Sequence, residues 1–287
     1  MMKENTKSGW KKFGYLCLSC VPTIAYMAVM VGVSVVLAVF LAVKGMADGS
    51  DDMFSYMMDG IADYSMMAGT VYAVIGIIGL GLWYYFGCKR KSLKPPKGVL
   101  HPANLLILAV FGFCMQYVCT YLMALIGMLL PDALEKYEIL METAGVGEIT
   151  VTGILYGVIL GPIAEELTFR GLTLHYLNKF TKRFWLANIL QALAFGIFHM
   201  NLIQGVYAFV LGLALGWIRM RFDSMYASIW LHIFFNFLAF GPMELFNRLL
   251  PESELFQIIW MFLMFVFAAV LLLLVKKRSE EDDVCVE

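Results

Sequence analysis

The chain has 287 residues, of which 61% are hydrophobic and only 15% charged, with a mean hydropathy of +0.77. A soluble domain of this length carries charge over most of its surface, so the composition excludes that class and indicates an all-α polytopic membrane protein. The net charge of −1 carries little information and no nucleic-acid partner is expected; the placement of the charges is more telling.

Eight apolar segments approach the ~20 residues needed to cross a bilayer. They lie roughly at 15–43, 66–87, 104–130, 149–178, 184–200, 204–220, 225–242 and 256–275. The first follows a basic stretch but is too long for a signal peptide, and no small-residue cleavage site follows it, so it reads as a retained helix. Cys17 and Cys20 form a CxxC at its start; in a membrane helix such cysteines are expected to act as small hydrophobes. The six cysteines show no disulfide framework, and Cys285 is followed by only two residues, so the acidic tail is not a prenylation box. Before the second segment, the Met-rich "DDMFSYMMDGIADYSMM" is expected to be a flexible outer loop or an interfacial segment.

Basic residues alternate between the segments. Lys3, Lys7, Lys11 and Lys12 precede the first, and Lys89, Arg90, Lys91, Lys94 and Lys97 follow the second. Lys179, Lys182 and Arg183 follow the fourth, Arg219 and Arg221 the sixth, and Lys276, Lys277 and Arg278 the eighth. The opposite loops hold only Lys44, Lys136 and Arg248, beside many Asp and Glu. Positive residues stay on the cytoplasmic side, which predicts eight spans with both termini cytoplasmic. The short basic N-terminus and compact loops suggest a bacterial plasma membrane.

The fourth segment holds "GPIAEELTFRGL", residues 161–172, with three charges in an otherwise apolar run. An ionisable residue at the centre of a membrane helix costs roughly 2.5–3.5 kcal/mol on insertion scales. Glu166 and Arg170 are four apart, on one face and in the favourable order for an ion pair. Glu165 is turned about 100° away and lacks that partner, which suggests that the pair holds the helix while Glu165 does proton chemistry. The alternative is that all three line a polar interior without reacting. Pro162 removes a backbone donor and is expected to kink the helix one turn before the glutamates.

Two later segments carry histidines at helical spacing. "FGIFHMN" places Phe195 and His199 at i and i+4, and "WLHIFFNFLAF" does the same for His232 and Asn236. Glu165 lies 14 residues from Lys179, about 21 Å, and His199 lies 16 from Arg183, about 24 Å. His232 and Asn236 lie 11 and 15 from Arg221, about 16 and 22 Å. The polar groups of three helices therefore reach a common level. His175 is close to Lys179 and reads as an interfacial side chain, and His101 falls in the basic loop. Gly212 and Gly216, four apart in the sixth segment, suit close helix packing.

The ordered set EExxxR (Glu165, Glu166, Arg170), FxxxH (Phe195, His199) and HxxxN (His232, Asn236) resembles the CPBP family of intramembrane proteases, also called the CAAX protease and bacteriocin-processing or ABI family. The resemblance covers about residues 153–241. It implies a catalytic core over 149–242, preceded by motif-free helices in 1–148 and followed by a last helix and acidic tail in 243–287. It also implies that Glu165 and His199 activate a water, that His232 and Asn236 donate to the oxyanion, and that Glu166 and Arg170 support them. An Asn amide suits an oxyanion donor.

Zinc on Glu165, His199 and His232 is the alternative chemistry, because His₂Glu sites bind it. The lack of an HExxH and the presence of Asn236 favour a metal-independent glutamate mechanism with no cofactor. The implied partner is a membrane-associated protein or peptide. The competing readings are a non-catalytic immunity or scaffold protein of the same fold, and a transporter with a Glu/His relay, against which no inverted halves are apparent.

Overall fold

The computed structural model of the chain describes residues 2–88, 101–145 and 149–284, without the side chains of 2–8 and 275–284. The basic residues of 89–97 and Cys285 lie outside the described residues, as do the side chains of Lys3, Lys7, Lys276, Lys277 and Arg278. All regular structure among the described residues is helical. The helices are α1 (Met2–Asp48), α2 (Met53–Gly87), α3 (Pro102–Leu129), α4 (Pro131–Thr143), α5 (Val151–Thr181), α6 (Phe184–Phe198), α7 (Leu202–Arg221), α8 (Met225–Ala239), α9 (Pro242–Asn247) and α10 (Glu254–Val284).

Six of these, α1, α2, α3, α5, α7 and α10, are long and apolar enough to cross a membrane. Helices α6 and α8 are equally apolar, but each has 15 residues and reaches about 22 Å, short of a ~30 Å hydrocarbon core. Side chains and prolines set the helix starts. Asp52 accepts from the Ser55 amide, Asn201 from Gln204 and Ser224 from Tyr226, while Pro102, Pro131 and Pro242 occupy first turns. Helices α5, α6 and α7 are each followed by a left-handed residue, Lys182, Met200 and Asp223, which turns the chain back.

The Met-rich stretch after Asp52 is not a loop. It forms the first turns of α2, which runs unbroken for 35 residues. The Asp52 cap starts it there, and Gly60 lies against Leu41 of α1, so the stretch is held by packing along its length.

The two larger apolar clusters among the described residues hold the bundle. One joins α3, α7, α8 and α10 through Leu108, Phe111, Leu215, Leu231 and Met264. The other joins α1, α2, α5 and α6 through Tyr26, Leu80, Ala164, Phe169 and Phe195. Only 11% of the apolar windows of α1 and α10 is buried, against 50% for α3, so the first two are peripheral and α3 is central. Helices α6 and α7 form a close hairpin. A Cβ on Gly196 would lie 2.5 Å from the Gly205 carbonyl oxygen, so neither position has room for a side chain. Fully buried amides sew the same pair together: Gln191 donates to the Gly212 carbonyl at 3.0 Å, and Asn188 donates to that of Leu213 at 3.0 Å. Gly212 and Gly216 face Ala192 and Asn188 across this seam, as their spacing predicts.

Candidate active site

Helix α5 carries the three charges and is irregular around them. Residues Ile154–Leu160 and Leu167–Thr173 are π-helical, and a short α segment, Gly161–Glu166, lies between. Pro162 lies in this α segment, between the two π stretches. In a π turn each carbonyl accepts from the amide five residues on, and the Gly161 amide does reach the Tyr156 carbonyl. The next pair in that register would be Pro162 and Gly157, but proline has no N–H. The Asn236 side chain replaces it, donating through Nδ2 to the Gly157 carbonyl at 2.8 Å. A polar group from α8 thus satisfies a backbone acceptor that the proline leaves open, as apolar surroundings require. The amide retains its second N–H.

Glu166 and Arg170 both have completely buried side chains, and Arg170 Nη1 lies 3.0 Å from Glu166 Oε1. This is an ion contact rather than a directed hydrogen bond, since Nη1 has no acceptor of good geometry. The same Oε1 is 3.0 Å from His232 Nδ1. An N–H at Nδ1 donating to this carboxylate turns the other ring nitrogen, Nε2, toward Glu165, whose Oε2 is 3.6 Å away. That distance is too long for a hydrogen bond. Among the described residues Glu165 makes none to a side chain, and it is 14% exposed where Glu166 is fully buried. The two adjacent carboxylates are therefore in different situations: one is fixed between a guanidinium and an imidazole, the other is less tied and more accessible.

The three motifs meet on Phe195. Its ring centroid is 4.3 Å from the Arg170 guanidinium carbon, 5.0 Å from the His199 ring and 5.9 Å from the His232 ring. His199 caps the end of α6, and the left-handed Met200 follows it. The structure thus brings together Glu165, Glu166, Arg170, Phe195, His199 and His232, with Asn236 one turn further along α8. His101 is elsewhere, capping α3 by accepting from the Ala103 amide. His175 lines a separate cavity and is only partly exposed.

Other residues around the site carry no motif. Ser228, one turn before His232, faces the Glu166 carboxylate. Tyr26, Tyr72 and Tyr156 lie within electrostatic reach of Glu165, and the Tyr72 and Tyr156 hydroxyls are hydrogen-bonded to each other. These tyrosines come from α1, α2 and α5, so two of the three lie before the motif region. Isolated tyrosines in apolar segments give no sequence signal that would single them out.

Residues 147–238 match the family described as Type II CAAX prenyl endopeptidase Rce1-like. The match takes in all seven motif residues and agrees with the resemblance that those motifs carry. It covers about a third of the chain, the part formed by α5 to α8. Searches of curated proteins and of solved structures returned no match.

A zinc ion would need ligands converging to about 2.0–2.2 Å. Among the described residues no group of three His, Cys, Asp or Glu stands so that it could hold a metal ion. As placed, Glu165, His199 and His232 do not fit zinc.

Proposed function

We propose that the chain is an intramembrane endopeptidase that hydrolyses a peptide bond of a membrane-associated protein or peptide. The observation that carries this reading is the meeting of three motifs from α5, α6 and α8 on Phe195, with Glu165 beside His232 and, among the described residues, without a side-chain hydrogen bond.

In this reading Glu165, with His199, takes a proton from a water as it attacks the scissile carbonyl, and returns it to the leaving amine. His232, when it carries a proton on Nε2, donates to the oxyanion, and Asn236 does so through the N–H not used by Gly157. Glu166 and Arg170 are positioning residues that set the ring of His232. Preorganised donors of this kind act strongly in a water-poor site. The reading is metal-independent. The catalytic unit is 149–242, the remaining helices frame it, and the chain crosses a bacterial plasma membrane eight times, six times by the long helices and twice by the shorter α6 and α8, with both termini cytoplasmic. In that setting the substrate is a small membrane protein or a peptide precursor rather than a prenylated protein.

The test is a comparison of membrane and secreted peptides from cells expressing the wild type, Glu165→Gln and His199→Ala. The reading expects a cleavage product that is present with the wild type and missing with both variants. Matching peptide profiles, with a wild-type phenotype retained by the variants, would leave a scaffold or immunity role instead.

A further inference from the structure

A polar cavity of about 190 Å³ opens between α2, α5, α6 and α7, with Arg170 in its wall. It is smaller than pockets for drug-sized ligands, which run to roughly 300–1,000 Å³, so it suits a headgroup-sized moiety. Its polar walls are Tyr84, Arg170, His175, Asn178, Arg219 and Asp223.

The walls hold buried donors without acceptors. Tyr84 is 5% exposed and Arg170 1%, yet among the described residues the Tyr84 hydroxyl and Nε and Nη2 of Arg170 have no hydrogen-bond partner; nor do Arg219 Nε and His175 Nε2. Buried polar groups left unpaired are costly, so a set of donors around one cavity calls for an acceptor. Asp223 is the one acidic wall residue among the described residues. It pairs with Arg219 at 3.2 Å but is 66% exposed, and exposed pairs hold weakly, so it yields readily to a competing anion. Lys179, one helical turn after His175, adds a further cation on α5 and lies over the Tyr15 and Tyr176 rings. A basic pocket between helices at this end of a membrane bundle has the chemistry of an anionic headgroup site.

We infer that this cavity binds a phosphate group, supplied by an anionic phospholipid headgroup or by free phosphate, through Tyr84, Arg170 and Arg219. Arg170 links it to the candidate active site: one edge of its guanidinium faces Glu166 and the remaining N–H groups are left for the ligand. Binding itself does not depend on the protease reading.

The test uses the full chain purified in a neutral detergent and followed by thermal unfolding. It is titrated with short-chain phosphatidylglycerol, with short-chain phosphatidylcholine and with inorganic phosphate. Phosphatidylglycerol is expected to raise the unfolding midpoint saturably and phosphatidylcholine to leave it unchanged. Tyr84→Phe, which removes a single hydroxyl, and Arg219→Gln should each weaken the effect about tenfold. If inorganic phosphate gives the same rise, with the same sensitivity to both variants, the site holds and its ligand is the free anion. Equal responses to both lipids with none to phosphate, or undiminished phosphatidylglycerol binding by both variants, would overturn the inference.

Discussion

Glu166 and Arg170 form a completely buried ion pair 3.0 Å apart, and replacing its members singly and together gives a sharp prediction. Arg170→Met leaves the Glu166 carboxylate buried without its cation, and Glu166→Gln strands the guanidinium. Removing one partner of a buried pair costs about 3–5 kcal/mol, because a lone charge is left out of water. The double variant strands neither. It loses the guanidinium–Phe195 contact at 4.3 Å, worth about 1–2 kcal/mol, and weakens the hydrogen bond to His232, worth about another 1 kcal/mol. The double variant should therefore be no less stable than either single one, with a coupling of about 3 kcal/mol or more. Unfolding by SDS in mixed micelles, followed by tryptophan fluorescence, measures all four forms. Additive costs would refute the reasoning, and so would a cost below about 1 kcal/mol for Arg170→Met, the value of an exposed pair.

Asn236→Ala should cost about 1–3 kcal/mol by leaving the Gly157 carbonyl unpaired. It should cost less in a Pro162→Ala background, where residue 162 regains an N–H; an equal cost in both backgrounds would show that the proline does not create the open acceptor. Phe195→Leu removes the ring shared by Arg170, His199 and His232. It should lower stability by about 1–2 kcal/mol and reduce kcat more than KM in a cleavage assay. In Gly216→Ala the new methyl would overlap Asn188 across the α6–α7 seam, and should destabilise by about 1–3 kcal/mol. Gly79→Ala meets no atom within 4 Å and should stay within about 0.5 kcal/mol of wild type.

Much of this site is legible because helical spacing is a local property. The Glu166–Arg170 pair follows from i,i+4 geometry, and the isolation of Glu165 from its rotation about the axis. The joint placement of His232 and Asn236 on α8 follows in the same way. What each of these groups bonds to is not local. That Asn236 would complete the backbone at Gly157 depends on a π register in α5, which adds a residue to the turn without any change in apolar pattern. The shift of one His232 nitrogen to Glu166 depends on how α5 and α8 cross. The Met-rich start of α2 reads as a flexible loop or an interfacial segment, whereas it is helical and packs Gly60 on Leu41. The tyrosines around Glu165 come from helices that carry no motif, and only the packing of the bundle reveals them.

The central claim is that Glu165 moves the proton in peptide-bond hydrolysis, and single-turnover cleavage in proteoliposomes tests it most directly. The substrate is the one identified by peptide comparison, and wild type is set against Glu165→Gln with and without a zinc chelator. A positioned general base contributes typically 10²–10⁴-fold, so the account predicts a loss of that order for Glu165→Gln, undiminished binding of substrate, and a wild-type rate that the chelator leaves unchanged. Cleavage by Glu165→Gln at the wild-type rate would contradict it, as would a wild-type rate abolished by the chelator and restored by zinc.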